Sequence, residues 1–236
     1  MMFKKLQYWL LPTFCLLCHT KTLGDALCSP CFEELPWQVH NCVRCGLSLS
    51  ETQICGECAK NPPPYDHTVC LFDYQTPIAQ LILSLKFAGK LAYAKLLGEL
   101  MTARIAQHYQ TENIPELIIP VPLHVQRLKE RGYNQALEIA RPIAKQLKMA
   151  LDVTSCVRVL PTLPQAMSQL DTRKQNMKDA FEVKQVLQAK HVAIIDDVVT
   201  TGSTVAELAS VLKKAGVARV DVWCCARTQL RTMTDK

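Results

Sequence analysis

Aromatic residues and long apolar segments are both scarce in this sequence. Only 6% of its 236 residues are aromatic, which leaves few rings on which the bases of a single-stranded nucleic acid could stack. The apolar stretch over residues 6–17 is interrupted by Gln7 and Pro12 and is shorter than the roughly 20 residues of a membrane-spanning helix. It also has no small-residue cleavage site before Cys15, so we expect a cytoplasmic protein with no membrane insertion.

Cysteine, by contrast, is abundant and regularly spaced. Eight of the twelve cysteines form four Cys-x-x-Cys pairs, and Cys15 to Cys42 and Cys28 to Cys55 both span 27 positions. This duplication predicts two zinc ribbons, each with four thiolate ligands and no open coordination position. The duplication favours pairing of adjacent motifs, although crossed or nested pairings satisfy the same counts. The expected ligands are Cys15, Cys18, Cys28 and Cys31 in one ribbon and Cys42, Cys45, Cys55 and Cys58 in the other.

Two other uses of these cysteines compete with metal binding. A disulfide framework requires an oxidising compartment, and the sequence shows no export signal. Redox-active Cys-x-x-Cys pairs are the second alternative, but four evenly spaced pairs favour metal. Cys70, Cys156, Cys224 and Cys225 lie in apolar contexts, and we interpret them as ordinary core residues.

The composition changes near residues 61–64, where Asn61 precedes three prolines. We predict two domains, a double zinc ribbon over residues 1–64 and a larger domain over residues 65–236. Residues 1–64 contain five Lys or Arg and five Asp or Glu, so the net charge of +6 belongs entirely to residues 65–236. Zinc-bound thiolates would make the first domain more negative, which does not favour nucleic-acid binding there.

One segment of the second domain combines carboxylates with a hydroxyl-rich turn. Residues 192–195 form an apolar run typical of a buried parallel strand, and Asp196 and Asp197 follow it. Residues 200–204 then read Thr-Thr-Gly-Ser-Thr before a helical apolar pattern that ends at Gly216. Free N–H groups at a helix start bind anions, so this turn predicts a phosphate site. The carboxylates suit ribose hydroxyls or Mg²⁺.

Strand and helix patterns alternate through the second domain. Apolar strands are predicted at residues 117–122 and 220–225, and amphipathic helices at residues 77–87 and 136–147. The alternation predicts an α/β fold with a Rossmann-like parallel sheet that is covered by helices on both faces. Pro142 should kink or divide the second of these helices.

The Asp-Asp and Thr-Gly-rich segment resembles the signature of the type I phosphoribosyltransferases, which bind 5-phosphoribosyl-1-pyrophosphate (PRPP) with Mg²⁺. The resemblance implies that Asp196 and Asp197 contact the ribose hydroxyls and act in catalysis. It also implies that the residues of the turn hold the 5′-phosphate. These residues are Thr200, Thr201, Gly202, Ser203 and Thr204.

A second segment narrows the resemblance. Residues 120–135 contain Pro-x-Pro, a spaced Arg and Arg-Gly-Tyr-Asn-Gln. Together with the Leu-Lys-Phe sequence at residues 85–87, this segment resembles the ComF family, also called GntX-like. The resemblance implies pyrophosphate binding by Arg127, Arg131 and Gly132. It further implies a mobile loop that includes residues 161–168 and closes over PRPP, with Arg173 as a candidate catalytic residue that reaches the pyrophosphate.

The ComF family is associated with DNA uptake and use. The resemblance therefore implies a phosphoribosyltransferase in which an unidentified nitrogen acceptor displaces pyrophosphate from PRPP. The members of this family are predicted amidophosphoribosyltransferases, which implies ammonia derived from glutamine. That part of the resemblance is not matched, because the chain begins Met1-Met2-Phe3 and shows no N-terminal catalytic cysteine of a glutaminase. Two alternatives remain. One is a non-enzymatic adaptor that senses PRPP or a nucleotide and holds competence or DNA-processing proteins through its ribbons, and the other is a factor that handles single-stranded DNA.

Overall fold

The computed structural model describes residues 13–110, 113–160 and 179–229. The cysteine-rich region contains four short elements: β1 (Thr13–Phe14), β2 (Lys21–Thr22), α1 (Ser29–Glu33) and α2 (Gly56–Lys60). The predicted loop over residues 161–168 and the candidate Arg173 lie outside the described residues. Within the described ranges, no helix combines the length and the hydropathy that are needed to cross a lipid bilayer.

Strands and helices alternate in most of the chain that follows. The elements are β3 (His67–Asp73), α3 (Ile78–Phe87), α4 (Leu91–His108), β4 (Leu117–Pro120), α5 (Val125–Arg131), α6 (Gln135–Leu147), β5 (Ala150–Leu151), β6 (Cys156–Arg158), β7 (Phe181–Val183), β8 (His191–Val199), α7 (Ser203–Lys214) and β9 (Arg219–Arg227). Five strands form one sheet in the order β3-β9-β8-β4-β5, and each neighbouring pair is parallel. The predicted parallel α/β fold is therefore confirmed, and β8 lies at its centre.

The central strand is covered on both faces, as its apolar sequence predicts. Ala193 and Ile195 belong to the core that α3, α4 and α6 form on one face of the sheet. Val192 and Ile194 belong to the core on the other face, which α7 covers. All four side chains are fully buried, so β8 is held rigidly up to the point where its polar residues begin.

Helix α6 continues through Pro142, so this proline does not divide it. The reason lies in the neighbouring helix α4, where a Cβ on Gly98 would stand 2.3 Å from Pro142 Cγ and 2.5 Å from the Ile139 carbonyl oxygen. Glycine therefore allows the two helices to approach closely. This packing stabilises α6 where proline removes a backbone hydrogen bond.

The β3 edge of the sheet is covered by the segment between the two groups of cysteines. Trp37 forms an antiparallel bridge with Phe72, and their ring centroids are 4.6 Å apart. The Gln38 N–H donates to the Leu71 carbonyl over 2.8 Å, and the Asp73 N–H donates to the Pro36 carbonyl over 3.0 Å. These bonds satisfy edge groups that would otherwise be open to another strand. The cysteine-rich region thus packs directly on the sheet.

Candidate functional site

The two predicted carboxylates lie on opposite faces of the central strand. β8 continues beyond its apolar residues through Asp196 and Asp197 to Val199, and side chains alternate along a strand. Asp196 lines a concavity together with the Thr-Gly turn. Asp197 is only 2% exposed and lies on the α3 side of the sheet, where it pairs with Lys86. The adjacent aspartates therefore have different surroundings, which their sequence pattern does not reveal.

Asp196 is a carboxyl group whose surroundings favour its neutral form. Burial and, next, the charge of Asp197 raise its pKa, against the opposing effect of Lys86. The Asp197 N–H donates to Asp196 Oδ1 over 2.9 Å. A carboxylate with a raised pKa that faces a concavity would be stabilised by a cation or by hydroxyl donors of a ligand.

Lys86 is a site residue that the sequence interpretation did not assign. Its Nζ atom lies 2.8 Å from Asp197 Oδ2 at the end of α3. Burial lowers the pKa of Lys86, but the charges of Asp197 and Asp196 outweigh burial and raise it overall, so the side chain stays cationic. The only available signal was its place in the Leu-Lys-Phe segment, because no spacing rule links residue 86 to residue 197.

The predicted phosphate turn joins β8 to α7. Gly202 has φ = 81° immediately before the helix, a left-handed conformation that favours glycine. Thr201 Oγ1 and Ser203 Oγ are 2.8 Å apart, and the Ser203 N–H donates to Thr201 Oγ1 over 3.3 Å. Gly202 has no side chain to cap α7, so the start of the helix can offer N–H groups to an anion. Thr200, Gly202, Ser203 and Thr204 line the same concavity as Asp196.

Two of the three predicted pyrophosphate residues line a pocket of about 190 Å³ that Lys86 also lines. Arg127 and Arg131 line this pocket; Arg127 Nη1 lies 3.2 Å from Glu130 Oε2, and Arg131 lies over the ring of Phe87. Gly132 ends α5 with φ = 82°, and it shapes the turn without lining the pocket. Lys86 thus connects the buried Asp197 to a pocket with two guanidinium groups, a suitable environment for a polyanion.

Arg227 is a second residue that the sequence interpretation did not assign, and it contacts the phosphate turn. Arg227, at the end of β9, is 3% exposed, and its Nη1 donates to the carbonyl oxygens of Val199 and Thr200. Its Nε donates to the carbonyl oxygen of Cys45 over 3.0 Å. Tyr65 lies on the same side, with its hydroxyl 3.3 Å from where a Cβ on Gly202 would be. An arginine at the end of an apolar strand gives no sequence signal for this role.

The cysteines form two clusters by adjacent pairing, Cys15, Cys18, Cys28 and Cys31 in one and Cys42, Cys45, Cys55 and Cys58 in the other. Within each cluster the four Sγ atoms lie within 4.8 Å of one another. The separations of Cys18 from Cys28 and of Cys45 from Cys55 are 3.5 and 3.8 Å. Tetrahedral zinc with Zn–S bonds of about 2.3 Å requires sulfurs about 3.8 Å apart. Both donor sets fit zinc.

Comparison with protein families agrees with both parts of this description. Residues 6–59 match the double zinc ribbon domain, and residues 134–235 match the phosphoribosyl transferase domain. The fold, the cysteine clusters and these matches define a phosphoribosyltransferase-like protein with a double zinc ribbon.

Relatives identify the family more closely. The chain is 36% identical over 222 residues to the DNA utilization protein YhgH of Escherichia coli strain K12, an alignment that covers 92% of this chain and 98% of that protein. It is 34% identical over 209 residues to competence protein F of Haemophilus influenzae, covering 86% and 91% of the two chains. The chain therefore belongs to the ComF/YhgH family, which confirms the resemblance.

A solved structure is similar at a lower level. It is the glutamine PRPP amidotransferase from B. subtilis in complex with ADP and GMP, with a TM-score of 0.36 and 14% identity. The alignment covers 56% of this chain and 25% of that chain.

Proposed function

We propose that this protein binds PRPP at the carboxyl end of β8 and transfers its phosphoribosyl group to a nitrogen acceptor. One observation carries the proposal: the phosphate turn and Asp196 lie at the end of one central strand, where Asp197 pairs with Lys86 of the pocket with two arginines. In parallel α/β sheets, ligands bind at the carboxyl ends of the strands. A phosphate, a diol and a pyrophosphate in one molecule match these three features.

Different residues of the site would bind different parts of PRPP. Residues 200–204 would hold the 5′-phosphate through hydroxyl and N–H groups, and Asp196 would accept hydrogen bonds from the ribose hydroxyls. Arg127 and Arg131 would bind the pyrophosphate, with Lys86 beside them. Asp197 is engaged with Lys86, so we assign it the role of holding this ammonium group in place. Gly132 and Arg173 remain candidates from the resemblance.

Magnesium fits the environment of Asp196. A carboxylate whose pKa burial has raised is stabilised by a nearby cation, and Mg²⁺ is usually bound by one or two carboxylates together with phosphate oxygens. When bound, Mg²⁺ would neutralise part of the pyrophosphate charge. Asp196 is the protein ligand that we propose, since Asp197 is paired with Lys86.

The reaction would replace a C1–O bond of the ribose by a C1–N bond. The C1–O bond breaks, pyrophosphate leaves with its electron pair, a C1–N bond forms and the nitrogen loses a proton. Arg127, Arg131 and Lys86 would stabilise the charge that develops on the departing pyrophosphate. The names of the relatives point to a role in DNA utilisation or competence, so we propose that the nitrogen acceptor belongs to that metabolism.

The two cysteine clusters would each hold a structural Zn²⁺, because all four positions of each site are filled by thiolates. We assign the double zinc ribbon to residues 1–64 and the transferase domain to residues 65–236. Zinc thiolates persist in a reducing compartment, which supports a cytoplasmic location.

Calorimetric titration with PRPP and Mg²⁺ tests the proposal. The zinc-loaded wild type should bind PRPP, Asp196→Asn should bind at least about tenfold more weakly, and Glu99→Gln, at a half-exposed position of α4, should bind as the wild type does. Wild-type protein that is folded and binds no PRPP would overturn the proposal. Binding without pyrophosphate release for any of a panel of ammonia, amines and nucleobases would favour the adaptor function instead.

A further inference from the structure

We propose that Arg227 is a positioning residue that couples the second zinc ribbon to the phosphate turn, so that affinity for the 5′-phosphate depends on zinc in the second ribbon and not on zinc in the first. This inference rests on the proposed function, since it concerns the same phosphate site. It assigns to one zinc a regulatory role in ligand binding in addition to its structural role.

Arg227 joins atoms of the second cluster to atoms of the phosphate turn. Its Nε donates to the carbonyl oxygen of Cys45, a residue of the second cluster. Its Nη1 donates to the carbonyl oxygens of Val199 and Thr200 in the phosphate turn and of Thr228. One planar guanidinium group thus spans both sites. Any displacement of the Cys45 carbonyl would therefore shift the guanidinium group of Arg227, and with it the phosphate turn that this group contacts.

Arg227 also places a buried positive charge between the two sites. The guanidinium group is almost fully buried, and within the described part of the chain all its hydrogen-bond acceptors are neutral carbonyls. A buried cation without an anionic partner is costly. Zinc bound by four thiolates carries a net charge of −2, and a bound phosphate would supply negative charge on the other side. The position of Arg227 between the two therefore favours the state in which both are present.

The knuckle of the second cluster, residues 42–46, packs tightly against the transferase sheet. Gly46, next to Cys45, has φ = 69°, and a Cβ there would lie 2.8 Å from Thr68 Cγ2 of β3. The Thr68 N–H donates to the Val43 carbonyl over 3.0 Å, and Tyr65, just before β3, lies beneath Gly202. The knuckle over residues 42–46 is therefore fixed against the transferase sheet, close to the phosphate turn.

The first cluster occupies a different place. Leu27 and Ser29, beside its second cysteine pair, line a groove with Leu96 and Leu100 of α4. Among the described residues, Arg227 contacts a carbonyl of the second cluster and none of the first. Zinc loss from the first ribbon should therefore leave the phosphate turn unchanged.

The test compares matched ribbon variants of the full chain with separate probes for the two ends of the ligand. Cys18→Ser/Cys31→Ser and Cys45→Ser/Cys58→Ser should each contain one zinc per chain, measured by mass spectrometry of the metal. Calorimetry then gives affinities for ribose 5-phosphate and for pyrophosphate with Mg²⁺. The second-ribbon variant should bind ribose 5-phosphate about tenfold more weakly, a typical allosteric coupling, and pyrophosphate as before. The first-ribbon variant should retain both affinities.

Arg227→Lys keeps the proposal testable if a ribbon variant fails to fold. Lysine keeps the charge but cannot donate along both directions of the guanidinium fork. This variant should keep two zinc ions, bind ribose 5-phosphate about tenfold more weakly and show faster amide hydrogen exchange over residues 200–206. Combining it with Cys45→Ser/Cys58→Ser should cause little additional loss, because both changes break the same connection.

The outcomes separate the two proposals. Equal loss of ribose 5-phosphate binding in both ribbon variants, or full retention of that binding in Arg227→Lys, overturns the coupling and leaves PRPP binding intact. A folded wild type that binds neither probe overturns the proposed function, and the coupling with it.

Discussion

Two aspartates on neighbouring strands, Asp221 and Asp196, show how differently the two ends of this sheet are built. Asp221 of β9 lies three positions before Cys224, which is the register partner of Asp196 in β8. The two carboxylates are thus separated by about 10 Å along the strands. One belongs to the amino end of the sheet and the other to its carboxyl end.

Asp221 is fully supported by the protein. It is 0% exposed, accepts hydrogen bonds from the Tyr109 hydroxyl over 2.7 Å and from Arg219 Nε over 3.1 Å, and lies 2.8 Å from His191 Nε2. Burial alone would raise its pKa, but the hydrogen bonds from His191, Tyr109 and Arg219 outweigh burial and lower it. The ionised form is therefore the stable one here.

Asp196 has the opposite balance, since burial and the charge of Asp197 raise its pKa. Among the described residues, the backbone N–H of Asp197 donates to its Oδ1. The amino end of the sheet is therefore organised for stability, whereas the carboxyl end holds a carboxyl group that a ligand would stabilise.

The substitution that should reduce the free energy of unfolding most removes the carboxylate of Asp221. Asp221→Asn removes the charge that pairs with Arg219 and His191, and an amide nitrogen cannot accept their N–H groups. The free energy of unfolding should fall by about 3 kcal/mol, measured by urea denaturation at pH 7. Glu99→Gln, on the surface of α4, should change it by less than about 0.5 kcal/mol. Equal stability of Asp221→Asn and the wild type would contradict our account of this network.

The sequence predicted the framework of the molecule better than the details of its site. Apolar strand runs and Cys-x-x-Cys spacing are local patterns, so the parallel sheet and the cysteine-rich module could be read directly. The phosphate turn was also local, because strand, turn and helix are contiguous over residues 192–212.

The parts that could not be predicted depend on contacts between distant residues. Lys86 reaches Asp197 across 111 positions, and Arg227 reaches Cys45 across 182. The separation of Asp196 from Asp197 required knowing that β8 continues to Val199. Periodicity cannot reveal such contacts, since they arise only when α3, β9 and the second ribbon converge on one end of the sheet.

The next prediction concerns Lys86, which pairs with Asp197. Lys86→Met preserves the apolar stem but leaves Asp197, whose side chain is 3% exposed, without its cation. The free energy of unfolding should fall by about 2 kcal/mol, and Asp197→Asn in the same protein should restore part of the loss. Lys95→Met is the matched control, because Lys95 and Glu99 form an exposed pair 3.9 Å apart that contributes about 0.3 kcal/mol. Equal losses in the two lysine variants would refute the role of Lys86.

Substitution of Asp196 should have a smaller effect on the free energy of unfolding, and it should raise this free energy. Asp196→Asn removes an ionised group that burial and Asp197 destabilise, so the free energy of unfolding without ligand should rise by about 1.4 kcal/mol at pH 8, equivalent to one pKa unit. The same substitution weakens PRPP binding. Urea denaturation in the presence of PRPP and Mg²⁺ should therefore reduce or reverse the difference, because a ligand that binds only the folded state stabilises it. If Asp196→Asn instead lowered the free energy of unfolding without ligand, the protein would stabilise the ionised Asp196 as it does Asp221, and the contrast between the two residues would be wrong.

The smallest effect is the pH dependence of this gain. The pKa of Asp196 is raised from its ordinary value of 3.8 to about 8 in the folded protein, so between these values the folded state binds more protons than the unfolded state. Its contribution to stability is therefore lost as the pH rises through this window, and the change between pH 6 and pH 8 should be smaller than the gain of about 1.4 kcal/mol expected at pH 8. The advantage of Asp196→Asn over the wild type should accordingly shrink when denaturation is repeated at pH 7 and pH 6. An advantage that stays constant from pH 8 to pH 6 would show that Asp196 is ionised throughout and that its surroundings compensate its charge as fully as those of Asp221.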